Sequence, residues 1–131
     1  MREIKFRAWD TVGNQWLWIT GFETAETSKS DGYTLDGIFH NGDYVGKEGI
    51  VLMQYTGLKD RHGQEIYEGD ILRDDEMGLN VVRWEDGSFW LEMFYEGGQS
   101  LMEHLSDYNE VCEVIGNVYE HPHLLKGDEN E

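Results

Sequence analysis

The chain has 131 residues, 39% hydrophobic and 13% aromatic, enough for one ordinary domain with a core built around large rings. Its 27 acidic and 10 basic side chains give a net charge of −17, and the 19 acidic and 5 basic residues from position 53 onward contribute −14 of it. Such a surface repels nucleic-acid phosphates and anionic lipids and attracts basic partners, so neither a nucleic acid nor a membrane is an expected partner.

The sequence also indicates the cellular compartment. Cys112 is the one cysteine, so no internal disulfide can form. Residues 1–19 contain Glu3, Asp10 and Asn14 where a secretory signal would need an unbroken apolar run. No apolar stretch approaches the ~20 residues of a membrane helix. We therefore expect a soluble protein in the cytoplasm of the host cell.

The first segments of the chain predict a β-hairpin. Residues 3–9 (EIKFRAW) have a period of two, in which Ile4, Phe6 and Ala8 alternate with Glu3, Lys5, Arg7 and Trp9, and residues 15–20 (QWLWIT) contain aromatic and β-branched residues. Residues 11–14 (TVGN) between them are typical of a turn. The polar stretch 23–32 (ETAETSKSDG) has no periodicity and predicts an exposed loop.

Two dipeptides predict further hairpins. Asn41-Gly42 and Asp86-Gly87 each lie between apolar runs, and such pairs supply the positive φ angles that tight hairpin turns require. Residues 49–57 (GIVLMQYTG) form a nearly continuous apolar run, which is typical of a strand buried on both faces.

The last third of the chain predicts one helix, one strand and one short turn. Residues 100–108 (SLMEHLSDY) begin with an S-x-x-E capping box and place apolar side chains on one helical face. Residues 110–119 (EVCEVIGNVY) predict a strand in which Gly116 is a bulge or a point of close approach. Pro122 suits the first position of a short helical turn.

Residues 53–72 (MQYTGLKDRHGQEIYEGDIL) combine glycines and carboxylates between two apolar runs. Neither the spacing of a calcium loop nor that of a phosphate-binding loop is met. We interpret the segment as two turns. Asp60 begins the first turn and Gly63 closes it in the left-handed region, whereas Gly69 tolerates an unusual φ and Asp70 bonds nearby backbone amides.

The sequence predicts no catalytic, cofactor-binding or metal-binding residue. His121 and His123 could share one side of an extended segment, but a zinc site needs at least three protein ligands. The carboxylates of residues 74–76 could offer oxygens to a hard cation, although a charged loop is the commoner role. Cys112 has no evident basic partner in its apolar segment, and there is no G-x-S-x-G motif.

The densest aromatic group consists of Trp84, Phe89, Trp90 and Phe94. Because strand side chains alternate between two faces, some of these rings must point outward, where they would form a partner or oligomer surface. The alternative is that all four fill the core of a small barrel.

Three blocks carry a family resemblance, namely residues 2–10 (REIKFRAWD), residues 53–72, and residues 113–125 (EVIGNVYEHPHLL). In this order they resemble the YopX family, small proteins of phages and prophages of Gram-positive and other bacteria. The loop at residues 23–34 and the acidic tail lie outside the resemblance. It implies a mostly β structure whose C-terminal part is an SH3-type barrel, and it brings no catalytic residues.

We therefore predict a mainly β protein with an N-terminal β-hairpin region (residues 1–52), an SH3-like barrel (53–125), one short helix, and a frayed acidic tail (126–131). The expected function is a non-enzymatic protein-binding module without a cofactor, whose partner is a basic host or phage protein or a second copy of the chain. The alternatives are a metal-dependent enzyme that uses acidic residues after position 53, and an acidic mimic of nucleic acid that binds a basic host protein.

Overall fold

A computed structural model of the chain describes residues 3–26, 33–76, 78–94 and 100–126. These residues are mainly in strands, which confirms the predicted class. The strands are β1 (Phe6–Asp10), β2 (Gln15–Leu17), β3 (Ile19–Glu26), β4 (Tyr33–His40), β5 (Asp43–Gly46), β6 (Ile50–Lys59), β7 (Glu65–Tyr67), β8 (Asp70–Asp74), β9 (Gly78–Glu85), β10 (Ser88–Phe94), β11 (Ser100–His104) and β12 (Glu113–Asn117). Short 3-10 helices span Leu105–Asp107, Asn109–Val111 and Pro122–Lys126.

The chain divides into two compact units. One is Phe6–Met53, and the other combines Met1–Lys5 with Gln54–Glu131. The division near position 53 passes through β6, so this strand contributes to both units. Residues 127–131 of the predicted acidic tail lie outside the described residues.

In the unit of residues 6–53, β1 and β2 form the predicted N-terminal hairpin, with Ala8 opposite Leu17. The carboxylate of Asp10 accepts hydrogen bonds from the backbone N–H groups of Val12 and Gly13, both at 3.0 Å, and so closes the turn. These bonds, that of Gly13 foremost, lower the pKa of Asp10.

The same unit contains a three-stranded sheet in the order β3-β4-β5. Asn41 and Gly42 form the two-residue turn between β4 and β5 with φ angles of 54° and 92°, which confirms that hairpin. The predicted polar loop is wrong at residues 23–26, which pair with β4 as part of β3. Strands pair through backbone hydrogen bonds, which require no apolar side chains. The polar composition of residues 23–26 therefore gave no signal that they belong to a strand. Residues 27–32 lie outside the described part of the chain.

In the other unit, a sheet has the order β11-β10-β9-β8-β12, and all neighbours are antiparallel. It curls as half of a barrel. Closure into an SH3-like barrel stays a prediction. One face of the sheet packs on a core formed by Ile66, Leu72, Val82, Leu91, Met93, Leu105 and Cys112.

The turns of this unit match local sequence signals. Asp86 and Gly87, with φ angles of 52° and 81°, join β9 to β10 as predicted. In β12 the register shifts between Val114 and Gly116, which confirms the predicted bulge. The predicted strand began too early, however. Asn109–Val111 is a 3-10 helix, and β12 starts only after it.

The predicted helix at residues 100–108 is wrong. Ser100–His104 is a strand that pairs with β10 along its whole length, and only Leu105–Asp107 makes a helical turn. A capping box and a helical apolar face are weak local preferences, and pairing with a neighbouring strand overrides them. The turn expected at Pro122 is confirmed, because Pro122–Lys126 is a 3-10 helix that begins at the proline.

None of the helices in the described part of the chain combines the length and the apolar character that crossing a bilayer requires.

Candidate functional site

The first turn of residues 53–72 is organised by Asp60, a residue that is only 6% exposed. One oxygen accepts hydrogen bonds from the backbone N–H groups of His62 (2.8 Å) and Gln64 (2.9 Å), and the other accepts one from Val114 (2.9 Å). Burial raises the pKa of Asp60, but these three bonds outweigh burial and lower it overall. The carboxylate therefore joins the turn to the beginning of β12.

The second turn contains Gly69, which has a φ of 87°. Its N–H donates to the carbonyl of Val82 at 3.0 Å, and its own carbonyl accepts from the N–H of Val118 at 2.9 Å. Asp70 is 2% exposed, and its Oδ2 accepts a hydrogen bond from the N–H of Tyr67 at 2.8 Å. In the first turn, Gly63 has a φ of 84°. A purely structural role for the four turn residues remains a prediction.

Glu113 forms an ion cluster that sequence reasoning missed. Its two oxygens accept hydrogen bonds from Arg61 at 2.6 Å and Arg73 at 2.7 Å, and His62 lies 3.4 Å away. Hydrogen bonds from Arg61 foremost, then from His62 and Arg73, lower the pKa of Glu113 to about 2. Because the two arginines are 52 and 40 residues away in sequence, no local pattern could reveal the cluster.

A concave region of about 540 Å³ lies beside this cluster. Its lining includes the carboxylates of Asp74, Asp75, Glu76 and Asp107, so we call it the acidic cleft. In the part of the chain that the structure describes, no group of three His, Cys, Asp or Glu side chains could hold a metal ion.

The other residues weighed for chemistry are placed as follows. Burial, followed by the charge of Asp74, raises the pKa of Cys112 to about 11, so the thiol stays protonated and weakly nucleophilic at neutral pH. The rings of His121 and His123 lie edge to face with centroids 6.0 Å apart. That pair alone does not reach the three protein ligands of a zinc site.

The four aromatic residues of β9 and β10 do not form one patch. Phe89 packs against the core, and Trp84 lies directly opposite it in the strand register. The centroids of the two rings are 4.7 Å apart, and Trp84 is 50% exposed. Side chains alternate along β10, so Trp90 and Phe94 point to the other face of the sheet. The structure thus separates the group into two pairs.

We call the side bearing Trp90 and Phe94 the β10–β11 face, and it consists of Trp90, Glu92, Phe94, Met102 and His104. In the strand register Trp90 lies opposite His104, and Glu92 lies opposite Met102. The rings of Trp90 and His104 are stacked, with centroids 4.1 Å apart and an interplanar angle of 25°. Phe94 is 45% exposed. Aromatic and methionine side chains therefore share one face at the sheet's edge.

Trp90 is held in a fixed orientation. Its indole Nε1 donates a hydrogen bond of 2.9 Å to the carbonyl of Glu85. A cavity of about 210 Å³ lies beside the ring and is lined by Glu85, Asp86, Trp90 and Met102. We call it the Trp90 cavity.

The unit of residues 6–53 exposes aromatic side chains that sequence reasoning did not single out. Trp18 is 71% exposed, and Phe22, at 45% exposure, contacts Phe6 edge to face at 5.8 Å. A signal for Trp18 was present in QWLWIT. Leu17 is a core residue, so its neighbours in an alternating strand must point away from the core.

The fold and these surfaces define a small, mainly β protein with an aromatic face beside an acidic surface. The chain belongs to the YopX family, whose model, described as YopX protein, matches residues 5–126.

Two solved structures are similar over nearly the whole chain. Protein EF1440 from Enterococcus faecalis is 28% identical with a TM-score of 0.61, over 95% of this chain and 99% of that one. Protein yopX from Bacillus subtilis is 24% identical with a TM-score of 0.51 over the same shares, which shows a likeness of fold alone. Among curated proteins, none matches the sequence significantly.

Proposed function

We propose that the protein is a non-enzymatic binding module for a basic protein, and that the β10–β11 face is its interface. The observation that carries this proposal is the grouping of Trp90, Phe94 and Met102 on one face, with Phe94 45% exposed. Aromatic residues and methionine are enriched in protein interfaces, and tryptophan is prominent among the residues that dominate binding energy. An SH3-like barrel for residues 53–125 is part of the proposal.

The charge distribution supports a basic partner. Residues from position 53 onward contribute −14 of the total charge of −17, and Glu85 and Asp86 lie beside Trp90. Complementary charge speeds association and suppresses wrong partners. A second copy of the chain would bring the same net charge and be repelled, so a basic protein fits better. The phage or prophage origin that the family resemblance implies makes a phage or host protein the partner to seek.

A bait experiment with a matched control tests the proposal. Wild type, Phe94→Ser and Phe22→Ser are immobilised in parallel, and lysate of the encoding organism is passed over each at low and high salt. Both phenylalanines are 45% exposed, but Phe22 lies in the other unit. Circular dichroism of each bait checks that it is folded.

We expect quantitative mass spectrometry to find a basic protein enriched on wild type and on Phe22→Ser, and lost from Phe94→Ser. Enrichment should fall as salt rises, because salt screens the attraction between exposed charges. Equal enrichment on Phe94→Ser would show that the β10–β11 face is not the interface. A captured protein that is acidic, or insensitive to salt, would contradict the basic partner.

A further inference from the structure

The Trp90 cavity lies next to an open sheet edge. In the described part of the chain, β11 is the last strand of its five-stranded sheet and pairs on one side only, with β10. An edge strand presents backbone N–H and C=O groups that can pair with a strand from another chain. Met102 belongs to this edge strand and also lines the cavity. A strand added at β11 would therefore run close to the cavity.

The size of the cavity limits what can enter it. Its volume of about 210 Å³ corresponds to roughly seven waters at about 30 Å³ each. Sites for drug-sized ligands usually have about 300–1,000 Å³. The Trp90 cavity is smaller than these sites and largely open to solvent, and its volume matches one long side chain.

The lining determines the chemistry of that side chain. Trp90 and Met102 can pack against an aliphatic stem, and Glu85 and Asp86, the other two lining residues, each carry a negative charge that attracts a positive head group. An aromatic ring also attracts a cation at its face, most strongly when the ring is tryptophan. The hydrogen bond to the Glu85 carbonyl and the stacking on His104 hold the ring in place before a ligand arrives, which lowers the entropic cost of binding.

We propose that the Trp90 cavity receives a lysine or arginine side chain from an extended segment of the partner that pairs with β11. This inference rests on the proposed function, and it specifies which part of the partner the protein recognises, namely a cationic side chain on an extended segment. Main-chain pairing along β11 supplies affinity, and the cavity selects a cationic side chain at one position of the added strand.

The probe is a blocked hexapeptide of alternating valine and lysine, and the control peptide has every lysine acetylated. Acetylation removes the positive charge and keeps the strand-forming sequence. Titrations are followed by 15N–1H NMR of wild type at low salt, and the indole N–H signal of Trp90 is assigned with Trp90→Phe.

Two double variants carry the same change in net charge. Glu85→Gln/Asp86→Asn alters the cavity, and its Asn-Gly pair preserves the preferred hairpin turn. Asp75→Asn/Glu76→Gln alters the acidic cleft instead, where both side chains are exposed.

We expect the lysine peptide to shift the Trp90 indole signal and the backbone amides of residues 100–104, and the acetylated peptide to bind several-fold more weakly. The cavity double variant should weaken binding by about three- to tenfold, since exposed charge pairs contribute modestly, and the cleft double variant should change it less than twofold.

Equal weakening by both double variants, or a loss confined to the cleft variant, overturns the cavity assignment but leaves a basic partner intact. No shift in residues 100–104 overturns pairing at β11. If neither lysine peptide nor any basic protein binds at low salt, the proposed function itself fails.

Discussion

The carboxylate of Asp60 accepts hydrogen bonds from three backbone N–H groups, two within its own turn and one from Val114 in β12. Two segments more than 50 residues apart in sequence therefore depend on a single side chain. The sequence indicated that Asp60 begins a turn, since aspartate commonly bonds backbone amides two residues ahead. It did not indicate the bond to Val114, which exists only when the sheet is assembled.

We expect Asp60→Ala to lower the free energy of unfolding by about 1–3 kcal/mol or more, because each buried N–H group left without an acceptor costs about that much. Asp60→Asn keeps one acceptor oxygen and should lose less. Urea unfolding at pH 7 measures both, with the exposed Asp107→Ala as control. An Asp60→Ala curve that overlays the wild-type curve would contradict the assigned role.

Glu113 gives a prediction about pH. Its pKa falls from an ordinary 4.5 to about 2, mainly through Arg61, so its ion cluster contributes stability that is fully present above about pH 4.5. This contribution is lost as the pH falls toward 2, where the folded-state carboxyl becomes protonated. The stability difference between wild type and Glu113→Gln should therefore shrink as the pH falls from 4.5 to 2.

Melting temperatures of the two proteins from pH 7 to pH 2 test this, with Glu110→Gln as a control because Glu110 is exposed. A difference that stays constant down to pH 2, or that grows, would show that Glu113 carries no such linkage.

Among the strands and turns, the structure agrees best with predictions made from short-range sequence signals. Asn41-Gly42 and Asp86-Gly87 each form the turn that their sequence predicts, since a positive φ is a local requirement that few residues meet. The helix predicted at residues 100–108 failed because pairing between β11 and β10 depends on residues elsewhere in the chain.

The candidate site was predictable only in part. The aromatic residues of β9 and β10 stood out in the sequence, but the division of Trp84 and Phe89 from Trp90 and Phe94 requires knowing which face packs on the core. The Trp90 cavity could not be foreseen, since it needs Met102 in a strand beside β10 and the sequence favoured a helix there.

The bulge in β12 allows a prediction for the whole strand. A Cβ at Gly116 would lie 2.6 Å from Nδ1 of His121, the atom that accepts a hydrogen bond of 3.2 Å from the N–H of Asn117. We expect Gly116→Ala to displace the His121 ring and to lower the free energy of unfolding by about 1–3 kcal/mol, as overpacking does. Gly46→Ala in β5 is the control, because a Cβ there meets nothing closer than 3.8 Å.

Chemical denaturation measures both glycine variants, and NMR of Asn117 reports the hydrogen bond directly. If Gly116→Ala is no less stable than Gly46→Ala, the close approach to His121 does not constrain the strand.

At the scale of the whole molecule, a net charge of −17 governs which partners can approach. Binding to nucleic acid draws its strength from the release of counterions when basic residues meet phosphates, and an acidic surface opposes that approach. We expect no binding to DNA or RNA at physiological salt in gel-shift assays. A submicromolar affinity for any duplex would contradict this prediction.

Hydrogen–deuterium exchange of the protein alone and in complex with the partner recovered on the wild-type bait is the most direct measurement of where that partner binds. We expect slower exchange on binding in β10 and β11, residues 88–94 and 100–104, with little change in residues 19–26 around the exposed Phe22. Protection confined to residues 19–26, with unchanged exchange in β10 and β11, would contradict the β10–β11 face as the interface.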